Sequence, residues 1–256
     1  MNIISWNING LRAVVKKGVI GDFVRDQNAD VYIFQEVKMS KEAIDKLDLP
    51  SLFPGYHAHW SIGQRPGYSG LLTLTQDSSL PMTKGLHEED TDEEGRVVTL
   101  DLGKLYLINV YFPNASRDLK RLPFKIAFNK QFEKHCADLS KTKPLIIGGD
   151  FNVAHEDIDI ARPRENDGNS GFTKEERSWM SKFLSRGYID TFREFTKDGG
   201  HYTWWAHYSN ARARNVGWRI DYFIVSKKIS FLVKDSVILP KVMGSDHCPI
   251  SLKISL

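Results

Sequence analysis

The 256-residue sequence has only two cysteines, Cys136 and Cys248, with no CxxC spacing. That is too few for a disulfide scaffold and suits a reducing compartment. Charge of one sign is equally scarce. Thirty-five Lys and Arg face 32 Asp and Glu for a formal net charge of +3, so any basic surface must be local rather than a property of the whole chain. No apolar run approaches the roughly 18 residues of a membrane span, and no membrane partner is expected. The chain opens MNIISW and passes straight into a strand-like pattern, so neither a signal nor a transit peptide is expected and a cytoplasmic location is. What is there, 41% hydrophobic and 26% charged residues, is globular composition and excludes disordered and collagen-like chains.

Short β-branched and aliphatic runs recur at Ile3 to Trp6, Val31 to Gln35, Leu71 to Thr75, Val97 to Leu102, Leu105 to Phe112, Leu145 to Gly149, Tyr222 to Val225 and Ile250 to Ile254. These are predicted strands. Helical period fills Leu11 to Asp26, Leu119 to Leu139 and Thr173 to Arg186. The last opens with a capping-box pair, Thr173 and Glu176. Pro123 restricts the start of the second to a first turn. Hairpin-length and helix-length connections together predict mixed sheets covered by helices, in one domain over residues 1–256, since no Gly, Ser or Pro tract divides the chain. The acidic run Glu88 to Glu94 reads as a solvated loop. A faint internal echo links Ile3 to Asn9 with Leu145 to Asn152, each an apolar strand running into an Asn or Asp turn, and hints at two similar halves meeting at one face.

The predicted strand ends carry the chemistry: Asn7 with Asn9, Glu36, Asp150 with Asn152, Asp221, and Asp246 with His247. Any one of these is explained by a turn or a helix cap. Five at strand ends are harder to explain that way, because loops at one edge of layered sheets converge on a shared cleft. Carboxylate and amide oxygens are hard ligands that suit Mg²⁺ or Mn²⁺ rather than zinc. A metal, carboxylates and a histidine suit phosphoester hydrolysis. Cys248, followed by Pro249 and an apolar strand, reads as a small buried thiol, and the Gly67 to Gly70 stretch is not a serine-hydrolase elbow.

A second cluster, Thr203 to Asp221, interleaves Trp204, Trp205, Tyr208 and Trp218 with Arg212, Arg214 and Arg219. Aromatic faces stack on sugars and bases while guanidinium groups hold phosphates, a composition that suits a nucleic-acid strand with an everted residue; tryptophan core packing is the competing account. Further basic positions are Arg12, Lys16 and Lys17 at the first helix and Arg117, Lys120 and Arg121 after Asn114.

SWNINGLRA, FQEVK, GYSG, YFPNASR, GGDFNVAHEDID, SGFTKEER, NVGWRIDYF and GSDHCPI follow in order along essentially the whole chain. With these motifs the sequence resembles the exonuclease III family of apurinic/apyrimidinic endonucleases, within the wider endonuclease/exonuclease/phosphatase superfamily. The resemblance implies an α/β fold of the α+β type, a four-layer sandwich of two mixed β-sheets flanked by helices. It implies that Glu36, Asn7 and Asp246 hold a divalent metal, Mg²⁺ or Mn²⁺, with a second ion possible at Asp150, Asn152 and His247. Asp150 would orient or deprotonate the attacking water, Asn152 would hold that water or the phosphate, and His247 would contact the phosphate with Asp221 fixing its ring. Tyr111 would place its hydroxyl on the phosphate. Asn114, Arg117, Arg12, Lys17, Tyr68, Asn166 and Asn169 would contact DNA, and Trp204, Trp218 and Ile220 would wall a pocket for a baseless sugar. Trp204 departs from the phenylalanine common at its position. The implied activity is hydrolysis of duplex DNA 5′ to an abasic site, leaving a 3′-hydroxyl, with 3′-end trimming, by a monomer that is nucleoid-associated if prokaryotic. Two alternatives stand beside it: a superfamily phosphodiesterase acting on lipid, inositol phosphate or RNA, and a DNA-binding protein without catalysis.

Overall fold

The computed structural model describes residues 1–87 and 92–255. In chain order its strands are β1 (Asn2–Asn7), β2 (Val31–Gln35), β3 (His57–Ser61), β4 (Leu71–Thr75), β5 (Met82–Lys84), β6 (Val97–Asp101), β7 (Tyr106–Tyr111), β8 (Leu145–Asp150), β9 (Tyr188–Asp190), β10 (Trp204–Trp205), β11 (Gly217–Trp218), β12 (Asp221–Ser226), β13 (Val233–Ile238) and β14 (Ile250–Ile254). They form two six-stranded mixed sheets, β13-β14-β1-β2-β4-β3 and β5-β6-β7-β8-β12-β9, and a small β10-β11 ribbon. Each large sheet has one parallel pair at its centre, β1 with β2 and β7 with β8, and antiparallel pairs outside it.

Strand alternation sorts the side chains into layers. Ile4, Trp6, Tyr32 and Phe34 face outward onto Leu11, Val14, Ile20 and Phe23 of the first two helices. Ile3, Val31 and Ile33 face inward and meet Leu107, Ile146 and Phe223 of the second sheet. The second sheet turns Ile108, Val110 and Ile147 outward onto Phe128, Phe132, Met180 and Phe183. The result is helix, sheet, sheet, helix, as expected. The sheets approach so closely at Gly148 that a Cβ there would lie 2.5 Å from Ile33 and Phe223. At Gly149, where φ is +146°, a Cβ would lie 1.9 Å from the Val110 carbonyl oxygen, so the GG of GGDFN is a packing requirement.

The eight foreseen strands are present with ends shifted by at most a residue. The stretch Leu11 to Asp26 divides into helices Leu11–Lys16 and Val19–Gln27, because Gly18 takes a left-handed conformation that interrupts the hydrogen-bond ladder. Helix Leu122–Ser140 carries Pro123 in its first turn, and helix Lys174–Ser185 has the reciprocal Thr173–Glu176 capping box. Of the acidic run, residues 88–91 lie outside the described residues. Glu94 corrects the solvated-loop reading: it pairs with the buried Arg96 at 2.6 Å and with Arg121 at 2.9 Å. Cys136 and Cys248 are buried free thiols. No helix among the described residues is long and apolar enough to cross a membrane.

Candidate active site

The matched central strands bring their ends together. Asn7 closes β1 and Asp150 closes β8, and the Asn7 amide donates to Asp150 Oδ2 and to Glu36 Oε1, both at 2.9 Å. Across the second sheet Tyr111, Asp150 and Asp221 are in register, one from each of β7, β8 and β12. His247 completes the group. Its Nδ1 lies 2.8 Å from Asp221 Oδ2, and its Nε2 lies 3.9 Å from Asp150 Oδ2. Glu36, Asn9 and Asn152 all hold φ near +50°, a conformation disfavoured for non-glycine residues and tolerated best by asparagine; each turns the chain just past a strand end.

The environments of the two central carboxylates diverge. Burial works to raise the Glu36 carboxyl, but Lys38, 2.8 Å from its Oε2, and the Asn7 amide outweigh it and hold it below its ordinary value. Asp150 is buried beside Asp221, and burial with that neighbouring charge pushes it up to about 7 despite His247 and the Asn152 amide. Burial opposes the charged form of His247, yet the Asp221 carboxylate outweighs it and raises the ring to about 10, so the imidazolium persists at neutral pH. Burial and the Glu36 charge raise Tyr111 well above 10, so its hydroxyl stays protonated. Burial raises Asp246, and His247 with donors from Trp204 and Asn9 lowers it further than burial lifts it.

A cavity of about 300 Å³ adjoins these groups, lined by Glu36, Tyr111, Asn114, Asn152, Trp204, Trp218, Ile220, Asp246 and His247, with Ser170 and Gly171. Trp204 and Trp218 meet edge to face at 6.0 Å, and Asn114 donates to Asn152 Oδ1 at 3.1 Å. A larger cavity of about 480 Å³ behind Trp205 shares none of these acids.

Other expected contact residues lie outside the cavity. Arg12, Lys17 and Arg117 are exposed, and Tyr68 is half-buried with its hydroxyl accepting from Arg96. The Asn166 amide donates to the Ala161 and Arg162 carbonyls, and the Asn169 amide donates to Asn166. Two arginines of the aromatic cluster do not face solvent phosphate. Arg219 is buried on Asp159 and Asp190, and Arg212 donates to the Ser245, Pro240 and Val242 carbonyls while lying over Trp205. Each instead ties segments of the protein together: Arg219 joins Asp159 to Asp190, and Arg212 holds the turn that leads into Asp246.

The sequence reading missed Lys38, which steers Glu36, and Arg96, whose guanidinium bonds the Tyr111 carbonyl and lies 4.5 Å from the Tyr111 ring centre. It also missed Lys125 and Glu176, a fully buried pair that grips the Asn152 carbonyl and the Gly171 amide. Lys38, two residues past Glu36 in FQEVK, had a nearby signal, and Glu176 was read only as the capping-box partner of Thr173.

One ligand atom each from Glu36, Asp150 and His247 lies within 4.8 Å of the others. Glu36 and Asp150 supply carboxylate oxygens here and the Asp246 carboxylate lines the same cavity, donors that fit a hard divalent cation better than zinc. Residues 4–247 match the Endonuclease/Exonuclease/phosphatase family. The chain is 38% identical to an exodeoxyribonuclease of Bacillus subtilis (strain 168) over all of both proteins. It is 40% identical to the DNA repair nuclease APEX1 of Danio rerio, over all of this chain and 83% of that one. The crystal structure of AP endonuclease LMAP from Leishmania major superposes with a TM-score of 0.89 at 30% identity, covering 98% of this chain and 86% of that one. Family match, full-length identity and shared fold agree, and the chain belongs to the endonuclease/exonuclease/phosphatase family.

Proposed function

We propose that the protein is a DNA-repair endonuclease that hydrolyses the phosphodiester 5′ to an abasic site in duplex DNA, leaves a 3′-hydroxyl, and trims 3′ ends. It acts as a monomer and a single domain over residues 1–256, in the cytoplasm. The observation that carries this reading is the apposition of the Asp150–His247–Glu36 group to a cavity whose lining contains no Lys or Arg. An inositol polyphosphate or lipid headgroup, with several phosphates, would need more cationic side chains on those walls than the single imidazolium of His247. A bare sugar needs only an apolar recess, and a nucleotide without a base leaves the duplex at lower cost than an intact one.

The residues then divide the work. Asp150, poised near neutrality, accepts the proton of the attacking water. The imidazolium of His247, oriented by Asp221, donates to a phosphoryl oxygen, and Asn152 and Asn114 hold the phosphate from the other side. Tyr111 keeps its proton and offers it to the departing 3′-oxygen. Glu36, Asn7 and Asp246 would hold Mg²⁺ or Mn²⁺, which supplies positive charge against that developing on the phosphoryl group. Arg12, Lys17, Tyr68, Arg117, Asn166 and Asn169 form the outer contacts to the duplex.

The test is cleavage of a duplex with one tetrahydrofuran abasic analogue, beside an intact duplex, a phosphatidylinositol phosphate and an RNA hairpin. Incision 5′ to the analogue that EDTA abolishes is the expected result. Faster turnover of the lipid or RNA, or tight DNA binding with no incision, overturns it.

A further inference from the structure

Trp204 stands at the junction of the cavity and the acids. On one side β10 pairs with β11, setting Trp204 opposite Trp218. On its other side the same segment pairs with the turn that carries the acid and histidine: Trp204 lies opposite His247 in an antiparallel bridge, the Trp205 amide donates to the Asp246 carbonyl at 3.1 Å, and the Cys248 amide donates to the Thr203 carbonyl at 2.8 Å. The indole repeats this link through its side chain, donating from Nε1 to Asp246 Oδ2 at 3.0 Å. Asp246 Oδ1 accepts from the Asn9 amide at 2.9 Å, while the neighbouring Ser245 hydroxyl has its shorter contact, 2.8 Å, with the Asn7 carbonyl. Two donors from two other segments therefore fix this carboxylate, and one of them is the wall of the cavity.

We infer that Trp204 is a positioning residue that couples the two parts of the site: a sugar seated against its ring and a divalent cation held with Asp246 each strengthen the binding of the other. The ring cannot shift in its recess without moving the N–H that orients Asp246. A group that fixes the ring therefore fixes the carboxylate, and linkage makes the effect reciprocal. Phenylalanine at this position would retain a wall and lose the donor. The inference rests on reading Asp246 as a cation ligand, and the experiment separates the two.

Mn²⁺ binding to the full-length protein, followed by electron paramagnetic resonance, would be measured with and without a tetrahydrofuran duplex. The variants are Trp204→Phe, Asp246→Asn, and a protein whose Trp204 indole is replaced by benzothiophene, which keeps the ring shape and lacks the N–H. Loss of a donor behind a metal ligand typically weakens metal affinity roughly 10–100-fold. A loss in that range is expected for the benzothiophene protein and for Trp204→Phe, together with a smaller gain in Mn²⁺ affinity on adding the duplex. The benzothiophene protein should still prefer the abasic duplex over an intact one. If Asp246→Asn weakens Mn²⁺ binding while the benzothiophene protein matches wild type, the inference falls and the ligand reading stands. If Asp246→Asn itself binds Mn²⁺ like wild type, the ligand reading falls. Undiminished coupling to the duplex in the benzothiophene protein also overturns the inference.

Discussion

The two large sheets repeat one pairing pattern, with a central parallel pair flanked by antiparallel strands, yet their ends hold carboxylates in opposite electrostatic states. In the first sheet Glu36 sits against Lys38 and the Asn7 amide and is held ionised. In the second, Asp150 is sealed beside Asp221 and lifted toward neutrality, and the buried charge is carried by His247. Matched strand pairing thus delivers one half with an ionised carboxylate and one with a near-neutral carboxylate beside an imidazolium, the contrast that the proposed function uses to hold a cation and to move a proton. The difference comes from neighbours: a cationic side chain beside one carboxylate and a second carboxylate beside the other. Buried ion pairs follow the same division, since Arg219–Asp159, Arg219–Asp190 and Lys125–Glu176 all support the second half.

The largest expected effect breaks the proton-handling half. Asp150→Ala should reduce single-turnover incision by roughly 10³–10⁴-fold, in the range of a lost general base, with duplex binding preserved by gel shift. Comparable incision by this variant and wild type would remove Asp150 from the chemistry.

Next in size is the Asp221–His247 unit. If the carboxylate acts only through the imidazole, Asp221→Ala and His247→Ala should each lower the rate strongly, and the double variant should be little slower than the worse single one. Multiplicative losses in the double variant would show two independent roles.

A smaller effect separates cavity from duplex grip. Trp218→Ala should reduce the kcat/KM preference for abasic over intact duplex by roughly tenfold, through lost packing against Trp204 and a widened recess. Lys17→Ala should leave that ratio alone and reduce the salt dependence of binding by about 0.9 in log–log slope, one phosphate contact's worth. An altered ratio in Lys17→Ala and an unaltered one in Trp218→Ala would reverse the assignment.

The smallest effect is on stability and sharpens the contrast between halves. Burial opposes ionisation of Asp159, but Arg219 and Arg193 outweigh it and hold its carboxyl below its ordinary value. Its contribution is therefore complete above the unfolded value of about 3.9 and is lost as pH falls through the lower folded value. Amide hydrogen exchange at decreasing pH should show β12 and β9 losing protection before β1 and β2. Asp159→Asn should lower Tm at pH 7 and narrow the difference between pH 7 and pH 3. Equal Tm losses for wild type and Asp159→Asn on acidification would contradict it.

Much of this was legible in the sequence because apolar runs mark central strands. VYIFQ and LLTLT have no other stable home, and GGDFN and GSDHC end such runs with polar turns. The strands that escaped are short or at edges: HAHWS and VKDSVI lack continuous apolar runs because, at the two edges of their sheet, both faces of each are partly exposed. The split at Gly18 escaped because the apolar period continues through it. Glu36, Asp150 and His247 stood out by their places at strand ends, whereas Glu176 was legible only as a capping-box residue and Lys125 not at all, because their pairing arises from packing between two helices. Arg212 and Arg219 were misread as phosphate ligands because an arginine among tryptophans has the same sequence whether its partner is a phosphate, a carbonyl or a buried aspartate. Ser170 and Gly171 are held at the cavity by contacts from other segments, the Glu176 carboxylate and the Ala154 amide on Gly171 and Asn114 on Ser170.

The division between a cation-holding and a proton-moving half is tested most directly by titrating Mg²⁺ and Mn²⁺ into single-turnover incision by Glu36→Ala and Asp150→Ala side by side. Removing one oxygen ligand from a set that keeps others should move the Glu36→Ala curve to higher cation concentration, with recovery of most of the wild-type rate at saturation. The Asp150→Ala curve should keep its midpoint and saturate at a rate reduced by orders of magnitude. Recovery of both variants at the same cation concentration, or of neither, would contradict the account.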